Sequence, residues 1–76
     1  MDQERLQKVF RDIFDEPALV LRRDMTAAEV EAWDSLSHIA LLAAVEKEFG
    51  LRFNLAEVRG LKNVGDLMDV LEKKGA

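Results

Sequence analysis

Ser35 stands between an acidic residue, Asp34, and a large apolar one, Leu36, with Ser37-His38-Ile39-Ala40-Leu41-Leu42 directly after it. A serine hydroxyl in such a place can be a helix cap, a nucleophile or a point of attachment, and its neighbours decide which. Ser, Thr, Asp and Asn at a helix start satisfy orphan backbone N–H groups, an effect typically near ~1 kcal/mol. On the tripeptide alone, capping is therefore the leading reading. Asp34 already fits the N-cap, however, which puts Ser35 at the first helical position with its hydroxyl toward solvent. A primary hydroxyl needs a base before it attacks. His38 lies three residues on, about 300° round a helix axis, and so flanks Ser35. A Ser-His dyad is thus a candidate, but no acid stands in position to orient the imidazole and no oxyanion-hole loop is evident.

Composition narrows the chemistry further. The chain has no cysteine, which excludes disulfides, thiolate metal sites and a cysteine nucleophile. Its one histidine leaves little for a catalytic site, and no metal site is expected. A net charge of −4 argues against nucleic acid, whose binding rests on Lys and Arg contacts to phosphate, and favours partners with basic surfaces. Met1-Asp2-Gln3-Glu4-Arg5 resembles no signal peptide. The longest apolar run, Ile39 to Val45, is far too short to span a bilayer. The expectation is a cytoplasmic monomer without membrane insertion.

The elements that must position Ser35 follow from apolar spacing. Seventy-six residues make one domain, 1–76, held by helix packing with no staple. Leu6, Val9, Phe10, Ile13 and Phe14 recur at helical spacing and predict a first helix over about residues 2 to 15, stopped by Pro17. Residues 17 to 33 show no clean period. Ala18, Leu19, Val20 and Leu21 are expected to pin this long loop, and Thr26-Ala27-Ala28-Glu29 has the form of a capping box around one helical turn. A loop of this length in a small domain is usually functional. The second helix runs from Ser35 to Gly50. Asn54-Leu55-Ala56-Glu57 predicts a third helix of about two turns, and Asn63-Val64-Gly65-Asp66 starts a fourth with Val64, Leu67, Met68 and Leu71 as its apolar stripe. The fold class is all-α, an antiparallel four-helix bundle with a long loop between helices 1 and 2 and a short third helix.

The second helix carries more apolar side chains than one buried face requires. At 100° per residue they separate into two stripes. His38, Leu41, Leu42, Val45 and Phe49 hold the bulk and should face the core. Leu36, Ala40, Ala43 and Lys47 form the other stripe, with Ile39 at its border, and start beside Ser35. Exposed alanines can be mere helix formers. The alternative is a docking surface anchored by Leu36, with Glu46 and Asp34 at its edges. A lone His on a core-side stripe is more often packed and hydrogen-bonded than a ligand, and Trp33 is expected to pin the loop against the bundle.

Asp34-Ser35-Leu36, then Val45-Glu46-Lys47-Glu48-Phe49-Gly50-Leu51, then Asn63-Val64-Gly65-Asp66-Leu67 together resemble the acyl carrier proteins. The resemblance covers nearly the whole chain. It implies that Ser35 takes a 4′-phosphopantetheine arm, donated by coenzyme A through a phosphopantetheinyl transferase working with a magnesium ion, with Asp34 flanking. The arm ends in a thiol that carries acyl groups as thioesters to acyl-loading and acyl-processing enzymes, so the chain needs no cysteine and no catalysis of its own. The helix N-terminus, with its free N–H groups, suits the phosphate. One departure stands out. Fatty-acid carriers tend to have acidic residues at the positions of Ser37 and Ala40, and Lys47 reverses a further charge, which points to a specialised pathway rather than housekeeping fatty-acid synthesis. Two alternatives remain: an aminoacyl or peptidyl carrier, which usually has Gly-Gly where Ala32-Trp33 stands, and a helical interaction module in which Ser35 only caps.

Overall fold

Asp2 opens the first helix, α1 (Gln3–Phe14), by accepting from the amides of Glu4 at 3.0 Å and Arg5 at 3.3 Å. Leu6, Val9, Phe10 and Phe14 form its buried face, as their spacing requires. The helix stops before Pro17 acts on it. Asp15 takes the left-handed conformation (φ 52°) and returns its amide to the Arg11 carbonyl, a role that Asp tolerates better than most residues. In this computed structural model, which describes residues 1–76, α2 (Ser35–Phe49), α3 (Leu55–Arg59) and α4 (Val64–Lys73) complete an all-helical bundle. The third helix is five residues, shorter than the two turns its sequence suggests.

The connection between α1 and α2 is tied to the bundle at several points. Leu21, Met25 and Val30 enter the core. Gln7 accepts from the Leu21 amide at 2.9 Å, and Arg11 donates to the Leu19 carbonyl at 2.7 Å, so two α1 side chains hold the loop by its backbone. The expected block of four pinning residues is split. Leu21 is buried and Leu19 half-buried, while Ala18 and Val20 are exposed. A single 3₁₀ turn, Ala27–Glu29, follows Thr26, whose amide donates to the Glu29 carboxylate at 3.0 Å.

The start of α4 docks on this connection. The Val64 amide donates to the Met25 carbonyl at 2.9 Å and the Gly65 amide to the Arg23 carbonyl at 2.8 Å. A Cβ at position 65 would lie 2.9 Å from that same oxygen, so the close approach admits only glycine. Arg23 also reaches both carboxylate oxygens of Asp69, at 2.9 and 3.0 Å.

The two apolar stripes of α2 separate by burial. Leu41, Leu42 and Val45 lie in the core, whereas Leu36 is 81% and Ile39 68% exposed. Phe49 departs from its expected place. It is half-buried at the rim, with the Arg5 guanidinium 4.9 Å from its ring centre while Arg5 pairs with Glu48 at 3.0 Å. Removing its ring would therefore forfeit less than the loss of a fully buried phenylalanine. Gly50 ends the helix in the left-handed conformation (φ 65°), where the lack of a Cβ removes the steric penalty.

Candidate functional site

The first turn of α2 is organised by Asp34 and Ser37, not by Ser35. The Asp34 carboxylate accepts from the Ser37 amide at 2.9 Å, and the Ser37 hydroxyl accepts from the Asp34 amide at 2.7 Å. This is a reciprocal capping box with serine in the place usually held by Glu or Gln. The same Ser37 hydroxyl donates to the Ala32 carbonyl at 2.7 Å, stitching the helix start to the end of the loop. The Ser37 amide, followed by its hydroxyl, holds the Asp34 carboxyl below its ordinary range. Asp34 is thus an anion-form cap.

This arrangement leaves Ser35 without a structural task. Its residue is exposed, and its hydroxyl takes part in no hydrogen bond in the first turn, whose side-chain bonds are those of Asp34 and Ser37. The amides of Ser35 and Leu36 likewise find no backbone acceptor, while His38 is the first residue to close a helical bond, to the Asp34 carbonyl at 2.9 Å. Two amides without a backbone acceptor, of which that of Leu36 also acts on the Asp34 carboxylate, and the positive end of the helix dipole are therefore presented next to a free primary hydroxyl. That combination suits a negatively charged group carried on the hydroxyl.

Trp33 and His38 close one flank. The indole packs edge-on against Phe10, with ring centres 5.6 Å apart, and against Phe14 at 5.5 Å, so the loop is pinned to α1 as expected. Its N–H donates to Nδ1 of His38 at 3.0 Å, and the two rings stack at 6.1 Å. Since Nδ1 accepts, the neutral imidazole carries its proton on Nε2. The ring has no free lone pair with which to take the Ser35 proton. The geometry removes the Ser-His dyad and leaves His38 a packed, hydrogen-bonded residue.

A half-open cavity of about 380 Å³ begins at Ser35. Ala27, Trp33, Leu41, Leu42, Leu61 and Leu67 make its apolar wall, and Asp34, Ser35, His38, Lys62 and Asn63 supply its polar atoms. Sequence reasoning missed Ala27, Leu61, Lys62, Asn63 and Leu67 as neighbours of Ser35. They arrive from the loop, from the approach to α4 and, for Leu67, from α4 itself, and no local pattern signals that convergence.

Of the residues read as a docking face, Leu36, Ile39, Ala40, Ala43 and Lys47 are all exposed on α2. Glu46 is placed otherwise. It is half-buried, and its carboxylate accepts from the Phe53 amide at 2.8 Å, fastening the segment that leads into α3. Its charge is engaged within the fold. No helix is long and apolar enough to cross a membrane.

Comparisons with known proteins converge on one description. A family model for the phosphopantetheine attachment site matches residues 4–71. Among curated proteins, an acyl carrier protein of Saccharopolyspora erythraea is 28% identical over 67 residues, covering 88% of this chain and 70% of its own length. Among solved structures, a holo acyl carrier protein from Geobacter metallireducens matches with a TM-score of 0.89 and 43% identity, over 95% of this chain and 83% of that one.

Proposed function

The chain belongs to the acyl carrier protein family, and from that premise we propose that Ser35 is the residue to which its phosphopantetheine is attached. The observation that carries this is the division of labour in the first turn of α2. Asp34 and Ser37 satisfy the cap between them, so the Ser35 hydroxyl and the two amides beside it remain available. The residues fit the group. A phosphodiester on Oγ would sit against the Ser35 and Leu36 N–H groups, with the exposed Lys62 of the cavity lining as a nearby cation. The arm itself supplies a thiol on which acyl groups ride as thioesters.

The hydroxyl has no base of its own, because the lone pair of His38 is taken by Trp33. Its activation falls to a phosphopantetheinyl transferase. That enzyme forms the Oγ–phosphorus bond, breaks the pyrophosphate of coenzyme A, takes the serine proton and releases the adenosine bisphosphate half. The chain then acts as a carrier without catalysis of its own, in the cytoplasm, offering its cargo to acyl-loading and acyl-processing enzymes. Leu36, Ile39, Ala40 and Ala43 form the docking face, with Lys47 at its far end. An apolar face lacking carboxylates at positions 37 and 40 gives basic partner surfaces little to read. This favours a specialised pathway over housekeeping fatty-acid synthesis. Incubation with coenzyme A, magnesium and a broad-specificity transferase should raise the intact mass by one phosphopantetheine. An unchanged mass under conditions that modify a control carrier would overturn the assignment.

A further inference from the structure

The cavity beside Ser35 has six apolar residues in its lining, and of its five polar ones His38 lies on α2 between Ser35 and the leucines Leu41 and Leu42. Nδ1 of that ring is taken by the Trp33 N–H at 3.0 Å. Nε2 therefore bears the proton and is the ring's only uncommitted polar atom. No buried side-chain nitrogen or oxygen lacks a partner, so this N–H is open to water rather than orphaned.

We infer that His38 is a specificity-determining residue of this carrier: its Nε2–H donates to an oxygen of the acyl cargo, so that oxygenated acyl groups are held in preference to saturated ones. The inference rests on attachment of the arm at Ser35. An arm tethered there and folded back on itself brings its acyl end to this cavity, which Ser35 itself lines. A volume of about 380 Å³, against a water molecule's share of ~30 Å³, has room for a short acyl group and little more. A saturated chain would take water away from the His38 N–H and give nothing in return, the unfavourable case for a polar group. A hydroxyl or carbonyl a few carbons beyond the thioester replaces the water with a bond. Trp33 acts through His38 and is a positioning residue, because its N–H selects the imidazole tautomer that offers a donor.

The test uses the intact protein loaded at Ser35 with hexanoyl, 3-hydroxyhexanoyl or the bare arm, occupancy being fixed by intact mass. Two readouts are taken: the ring ¹⁵N shifts of His38, and the rate of thioester cleavage by hydroxylamine relative to the same thioester on free coenzyme A. The hydroxylated cargo should move the Nε2 resonance and be protected about tenfold better than hexanoyl, the scale of one satisfied hydrogen bond. His38→Phe should abolish the preference. Trp33→Phe keeps a ring in place and removes only the donor, so the His38 tautomers should mix and the preference should shrink. Equal protection of the two cargoes would overturn the inference, as would a preference that survives His38→Phe. So would a complete Nε2 shift on adding the bare arm with none on acylation, since the arm would then hold the donor. If His38→Phe does not fold, the wild-type shifts and Trp33→Phe still decide. A chain that gains no mass fails at the earlier step, and mass alone distinguishes that failure.

Discussion

Two helices of this bundle begin with an N-cap side chain accepting from the amide three residues on, yet their starts are in opposite states. Asp34 accepts from the Ser37 amide at 2.9 Å at the start of α2, and Asn63 accepts from the Asp66 amide at 2.8 Å at the start of α4. In α4 the next two amides donate to the carbonyls of Met25 and Arg23, so the long connection seals that end. In α2 the corresponding amides of Ser35 and Leu36 meet no backbone acceptor. Both ends carry the dipole and a cap. What separates a structural helix start from one able to receive an anion is whether another part of the chain brings carbonyls to it.

The comparison can be broken most completely at Ser35. Ser35→Ala should abolish the phosphopantetheine mass gain while far-ultraviolet circular dichroism stays at the wild-type level, because Asp34 and Ser37 retain the cap. A modified Ser35→Ala protein would place the attachment elsewhere.

At the sealed end the expected effect is on stability. Gly65→Ala puts a methyl group 2.9 Å from the Arg23 carbonyl, and the backbone must shift or the α4 seal must open. Urea melts should show a loss of about 1–3 kcal/mol, the range of overpacking. A neutral result would mean that the contact between connection and α4 is loose.

A subtler difference is chemical: the open end is capped by a titrating group and the sealed end by an amide. The folded-state pKa of Asp34 is lowered, chiefly by the Ser37 amide. Its contribution is therefore complete above the ordinary carboxylate range and is lost as pH falls through the depressed folded value. Asp34→Asn should flatten that part of the stability profile, visible as a smaller drop in Tm between neutral and acidic pH than in wild type. Identical profiles would show that the carboxylate charge contributes nothing at this cap.

The smallest expected effect concerns the exposed face that starts at the open end. Adding both acidic residues that fatty-acid carriers favour is not a clean experiment here. Ser37 donates to the Ala32 carbonyl, which a carboxylate cannot do, so Ser37→Asp would disturb the loop as well as the charge. Ala40→Glu is clean. It should raise the rate of phosphopantetheine transfer by a transferase that reads acidic helices a few-fold at low ionic strength, and the gain should vanish at high salt. A gain indifferent to salt would assign recognition to Leu36 and Ile39 instead.

What the sequence makes legible here is what is local. Thr26 with Glu29, Asn54 with Glu57, and Asp34 ahead of Ser35 are contacts across three residues or fewer, and each is present as read. The split of α2 into Leu41, Leu42 and Val45 inside and Leu36 outside follows from helical period alone. Phe49 packs against the core but is only half-buried, because period does not say where a neighbouring helix ends, and at that rim Arg5 covers part of the ring. The burial of Met25 and Val30, the approach of Arg23 to Gly65 and the donation from Trp33 to His38 depend on how an aperiodic loop lies on the bundle. So does the second bond of Ser37, which gives a structural task to a position where fatty-acid carriers tend to be acidic.

The shortest helix has a kinetic consequence. Five residues cannot sustain an isolated helix, and α3 buries no side chain fully. Glu57 holds it from both sides, accepting from the Asn54 amide at 2.9 Å and pairing with Lys74 at 2.8 Å. Lys74 is also the main reason its carboxyl sits below the ordinary range, so this fastening is lost as pH falls through that lowered value. α3 therefore belongs to the fast-opening end of the molecule. Its amides should exchange with solvent through local opening, long before the helices on either side come apart. Protonating the Glu57 carboxylate should make that opening more frequent.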